Sequence, residues 1–99
     1  RRVPLEETTS SLREIFSQLQ ARGAVVAFTA VEGLVGGKRR GAYRAICREE
    51  GVILVENVLG GILSDDSLCS DQIHPNAMGY GIMAGKVAEV LAPYTPQTP

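Results

Sequence analysis

At 99 residues, with a formal net charge of −1 at pH 7 and a pI near 5.8, the chain is long enough for one small domain and no more. Its 44 % hydrophobic and 21 % charged residues give the composition of an ordinary globular protein, and the charge balance leaves no electrostatic footprint for nucleic acid. The longest apolar run, residues 24–28 continued by Ala30 and Val31, falls far short of the ~20 residues that a membrane-spanning helix requires.

Pro4 followed by Glu6 and Glu7 reads as a helix start, with proline near the first helical position and acids in the first turn. Leu12, Ile15, Phe16 and Leu19 recur at helical spacing and predict one buried stripe. Gly23 after Arg22 is a C-terminal stop. Residues 24–29 are apolar almost throughout rather than alternating, the pattern of a strand covered on both faces in a parallel sheet. A glycine-bearing loop, residues 32–37, leads to a second helix over 38–50 with Tyr43, Ile46 and Cys47 facing inward. The basic cluster Lys38, Arg39, Arg40, Arg44 and Arg48, offset by Glu49 and Glu50, reads as a solvated helix face rather than an anion site.

Gly51 ends that helix, and residues 52–55 form a second short apolar strand. A long loop over 56–73 carries Gly60-Gly61 and the polar stretch 64–71. The last helix is predicted over 76–91, with Met78, Ile82, Val87 and Leu91 inward and Gly79, Gly81 and Gly85 permitting close packing. Pro93 stops it, and residues 95–99 read as a frayed tail. Strands separated by helical crossovers call for a parallel sheet with helices on both faces. Two strands do not make such a sheet independently, so the pattern is that of half a doubly wound α/β domain. Ligands of such domains sit beyond the carboxyl ends of the strands, where the loops 30–37 and 56–73 would lie.

The second of those loops closes on the most informative residues. Asp71 precedes the single histidine, His74, by three positions, and Pro75 holds His74 in an extended backbone conformation. At that spacing the carboxylate reaches one imidazole nitrogen and leaves the other to act as a general base for a hydroxyl. The simpler reading is a hydrogen-bonded surface turn. Asn76 is placed to cap the final helix. No metal site is expected, because Asp65 and Asp66 form no histidine-rich cluster and Cys47 and Cys69 lack ligand spacing. Those cysteines read as buried or free thiols rather than a disulfide. No serine fits the nucleophile's role. Ser10, Ser11 and Ser17 fall on the first helix, Ser64, Ser67 and Ser70 in the long loop, and none in a strained strand-to-helix turn.

The run Asp71-Gln72-Ile73-His74-Pro75-Asn76-Ala77-Met78-Gly79-Tyr80, followed by an amphipathic helix, resembles the last conserved block of the SGNH (GDSL) hydrolases, most closely the bacterial arylesterase and lysophospholipase/thioesterase branch. Val3 to Glu6 leading into Leu12 to Ile15, the strand near Val25, and Gly51-Val52 with Leu54-Val55 are similar to that branch in order and spacing. The resemblance implies that residues 1–94 are the C-terminal part of a flavodoxin-like three-layer α/β/α domain. It further implies a serine-dependent esterase, thioesterase or lysophospholipase without cofactor, in which His74 is the catalytic base and Asp71 its orienting acid. The loops 31–36 and 59–63 would wall the acyl chain.

The family's serine, glycine and asparagine blocks would lie upstream of Arg1, so the 99-residue chain alone is expected to be inactive. Its expected partners are an ester or acyl substrate and either a serine-bearing N-terminal half or a second, swapped copy. The arylesterase branch would place it in the bacterial periplasm or outside the cell. The chain begins without an initiator methionine, so its residues leave the compartment open. The rival from another class is a non-catalytic α/β module that binds a protein through an open sheet edge.

Overall fold

The computed structural model describes residues 3–29 and 37–95 and shows a mixed α/β chain of three helices and a two-stranded parallel sheet. Helix α1 spans Leu5–Ala21 and strand β1 spans Ala27–Thr29. Helix α2 spans Gly37–Glu50, strand β2 Ile53–Val55 and helix α3 Ala77–Leu91. A short 3-10 turn, Asp66–Leu68, lies between β2 and α3, and another, Ala92–Tyr94, follows α3.

Sequence signals at the helix ends act as expected. Glu6 and Glu7 occupy the first turn of α1, and Gly23 takes a φ of 86° after it. The Gly23 N–H donates to the Gln20 carbonyl at 2.9 Å and the Ala24 N–H to the Leu19 carbonyl at 3.2 Å, the paired bonds of a Schellman motif. Gly51, with a φ of 66°, ends α2 the same way, and the Val52 N–H returns to the Cys47 carbonyl at 2.8 Å.

The two strands pair in register Ala27 with Ile53, Phe28 with Leu54 and Thr29 with Val55. Phe16 of α1 and Ile46 and Cys47 of α2 bury against Val26 and Val52 just ahead of the strands, with Leu12, Phe28 and Leu54 packed around them. Phe28 stands edge-on to both Phe16 and Tyr43, with centroids 5.8 and 5.5 Å apart. By strand alternation Val55 points to the opposite face, where α3 approaches β2 and where Val58 and Ile62 are also buried.

Cover on both faces, the expectation for the first strand, fails at β1. Ala27 and Thr29 are exposed and Val25 is 77 % exposed, because α3 reaches β2 and not β1. The stripe on α1 is also narrower than expected: Phe16 is buried and Leu12 half-buried, but Ile15 and Leu19 face solvent. In α3 the expected inner face holds at Val87 and Leu91 but is rotated toward the N-terminal end. Met78 and Ile82 are exposed, and the sheltered residues are Gly79, Met83, Lys86, Val87, Val90 and Leu91. The rotation follows from Gly79, whose missing side chain lets the helix sit on Leu68 and Pro75. A Cβ there would lie 2.4 Å from the Leu68 carbonyl oxygen, whereas Gly81 and Gly85 have open space around them.

Candidate functional site

The site grows from a turn held at both ends. The Ser70 N–H donates to the His74 carbonyl at 2.8 Å and the Asn76 N–H to the Leu68 carbonyl at 2.7 Å, so Cys69 and Pro75 form an antiparallel bridge. Five residues, 70–74, bulge from this clasp. Asn76 locks it to the helix: its side-chain oxygen accepts from the Gly79 N–H at 3.0 Å as the N-cap of α3, and its amide donates to the Ser67 carbonyl at 2.9 Å. Pro75 is buried beneath.

Within the bulge the Asp71 carboxylate is the organising group. Its Oδ1 accepts from the backbone N–H of Ile73 and of His74, each at 2.9 Å, an Asx turn that fixes the acid against its own backbone. His74 Nδ1 lies 2.9 Å from Oδ1 and 2.8 Å from Oδ2. A carboxylate accepts at this distance only from a protonated Nδ1, so a neutral ring carries its lone pair at Nε2. Nε2 meets no partner among the described residues, and the side chain is 60 % exposed. The carboxyl of Asp71 is held below the usual carboxylate range, first by the Ile73 N–H, then by the His74 ring and its backbone N–H. Asp71 is thus ionised across the neutral range and oriented on the imidazole.

The sequence-predicted pair is therefore brought together, and the serines are not. Ser70 turns its hydroxyl to the Pro75 carbonyl at 3.4 Å, and Ser67 donates to Asp65 Oδ1 at 2.6 Å. Cys69 donates to the Ile62 carbonyl at 3.1 Å, and desolvation followed by Asp66, Asp65 and Asp71 pushes its thiol up, away from the thiolate a nucleophile needs. Cys47 is buried and free, and burial raises it too. Among the described residues no cluster of three histidine, cysteine or carboxylate side chains is placed to hold a metal ion. Nor is any described helix long and apolar enough to cross a membrane.

Two shallow depressions flank the turn. One, of about 420 Å³, runs along Asp66, Cys69, Ser70, Asp71 and Gln72. The other, of about 330 Å³, lies between Arg40 and the turn Gly60–Ser64, and Leu63 borders both. Of the expected acyl walls, Leu59 and Leu63 line the second depression and Ile62 is instead buried in the core. The loop 31–36 lies outside the described residues. The basic face of α2 is exposed as expected at Lys38, Arg44 and Arg48 and departs from expectation at Arg39 and Arg40. Arg13 of α1 takes Glu49 and Glu50, Arg44 pairs with Glu56 across the start of the long loop, and Arg40 is half-buried. Arg40 had no signal in the pattern, since nothing in its neighbours distinguishes it from Arg39 or Arg44.

The chain matches no protein-family model, no curated protein and no solved structure.

Proposed function

We propose that the chain supplies the general base and its orienting acid to a serine-dependent hydrolase of carboxylic esters, thioesters or lysophospholipids. The observation that carries this reading is the Asp71 carboxylate on His74 Nδ1 at 2.8–2.9 Å, anchored by two backbone N–H bonds, with Nε2 left free and exposed. In this reading the chain is the C-terminal part of a flavodoxin-like three-layer domain. The serine and the oxyanion donors come from outside the described residues. Nε2 takes the serine proton as the hydroxyl attacks the acyl carbon, and the resulting imidazolium, steadied by Asp71, returns it to the departing alcohol or thiol. The same nitrogen then deprotonates the water that attacks the acyl-serine, and the proton passes back to the serine oxygen. No cofactor enters these steps.

The test is hydrolysis of short-chain nitrophenyl esters by the protein in its longest natural form, beside His74→Ala. Loss of about 10³-fold or more in kcat supports the base; equal rates would sink it. The rival module rests on the open edge of β1, which pairs with β2 alone among the described strands, a feature that the hydrolase reading shares. A folded long form with no esterase activity that still retains a protein through that edge would decide for the module.

A further inference from the structure

Arg40 lies in the first turn of α2, half-buried, with its Nε shielded from solvent and without a hydrogen-bond partner. Arg13, Arg39 and Arg44 all have partners: Glu49, the Thr8 hydroxyl with the Val3 carbonyl, and Glu56. An Nε–H that is shielded and unpaired is a cost, and the rest of the half-buried guanidinium borders an open depression where a counter-charge would offset it. The turn of α2 that carries it adds to the imbalance. Lys38, Arg39 and Arg40 crowd the positive end of the helix dipole with no acid among them.

The depression in front of Arg40 is furnished for an anion. It is bordered by Asn57, Gly60, Gly61, Leu63 and Ser64, and no carboxylate is among its described lining residues. Gly60 and Ile62 spend their N–H groups on the carbonyls of Asn57 and Leu59, while the Gly61, Leu63 and Ser64 N–H groups have no such partners. The planar fork of arginine matches the oxygens of a carboxylate or phosphate, which would take the terminal N–H groups of Arg40, since Nε is shielded from solvent.

We propose that Arg40 and the turn Gly60–Ser64 form an oxyanion-binding site for a carboxylate or phosphate group. Leu63 separates it from the depression beside Asp71, so one molecule that spans Leu63 reaches both. The anion is then the charged end of the ester whose other end meets His74. This last assignment rests on the hydrolase reading; the anion site itself does not.

The experiment is a ¹H–¹⁵N NMR titration of the chain with sodium phosphate and, separately, sodium acetate at constant ionic strength. It follows the Arg40 Nε–H and the Gly61 and Ser64 amides. The expected result is saturating shifts at these groups, lost in Arg40→Gln and weakened several-fold in Arg40→Lys, which keeps the charge without the fork. Saturation by phosphate alone assigns a phosphoester end group, and saturation by acetate a carboxylate. Shifts that stay linear for both anions, or that saturate equally in Arg40→Gln, overturn the site. If Arg40→Gln loses amide dispersion, the comparison rests on Arg40→Lys, and equal affinity there overturns it. His74→Ala is expected to bind the anion unchanged, which separates failure of this site from failure of the hydrolase reading.

Discussion

Asp71 performs two tasks with one carboxylate, and they are separable. One is to hold the turn through the Ile73 and His74 N–H groups; the other is to orient the imidazole. Asp71→Asn keeps an oxygen for the backbone bonds but offers the ring a neutral partner, so the fold is expected to persist. Activity of the longest natural form should fall by about 10²–10⁴-fold, measured as kcat on a nitrophenyl ester. A rate within a few-fold of the parent would mean that the acid is only a turn former. The depressed carboxyl also fixes a pH direction. A group with a lowered folded pKa contributes stability above its unfolded pKa and loses it as pH falls through the folded value. The amides of Ile73 and His74 should therefore leave their native positions only when the pH drops below the ordinary carboxylate range. Asp71→Asn should abolish that acid step in an NMR titration. A step that survives the substitution would assign it to another acid.

Gly79 shows how a residue that does no chemistry places the residues that do. An alanine would gain about 1 kcal/mol in intrinsic helix propensity, but its Cβ would meet the Leu68 carbonyl at 2.4 Å and Pro75 Cβ at 2.9 Å. Neither neighbour can yield, one being backbone and the other the buried proline next to His74. Overpacking of about 1–3 kcal/mol therefore wins, and Gly79→Ala is expected to lower Tm and displace the His74 turn. Unchanged thermal stability would show that α3 does not depend on this contact. The Asp71–His74 pair itself was legible in the sequence because a three-residue separation leaves the side chains few ways to avoid each other. The burial of Arg40 was not, because it depends on a turn twenty residues downstream.

At the level of elements, the chain order and every helix stop were legible, and the faces only in part. Helix α2 turns Tyr43, Ile46 and Cys47 inward as expected, while α1 and α3 each keep only some of theirs. Stops are local: Gly23 and Gly51 adopt positive φ and close their helices by bonds within six residues. Gly23→Ala should cost about 1 kcal/mol, read as a shift in the denaturation midpoint, because its φ of 86° suits only glycine. Faces depend on what covers them. Ile15 and Leu19 continue the apolar period of Phe16 yet stand in solvent, because α2 crosses α1 only along the Leu12–Phe16 side. Met78 and Ile82 were displaced from the core by a glycine, a residue that hydropathy reads as neutral. Met83 and Val90 take the sheltered places in α3 instead, a shift set by the contact of Gly79 with Leu68 and Pro75 rather than by hydropathy.

The whole molecule is extended for its length. Its radius of gyration is 15.2 Å, against about 13 Å for a compact domain of 100 residues. One edge of the sheet also lacks a partner among the described strands. Ile53 donates to the Val26 carbonyl at 2.9 Å, so in a parallel ladder Val26 and Phe28 direct their backbone groups to β2, and Ala27 and Thr29 direct theirs outward. Those outward groups meet no described neighbour, Val25 stands 77 % exposed beside them, and Ala27 and Thr29 are exposed on the second face of β1. An unpaired strand edge flanked by exposed apolar side chains is a template for another strand, whether from a remaining part of the protein, a second copy or a separate partner. Sedimentation of the 99-residue chain is therefore expected to show association that rises with concentration. Lysine at the edge, as Val25→Lys with Thr29→Lys, should return it to monomer while leaving the Phe16–Ile46 core and its circular dichroism intact, since neither side chain enters that core. Association that persists in the double variant would move the contact to the exposed stripes of α1 and α3, and a monomer at every concentration would mean that the edge is satisfied without a partner.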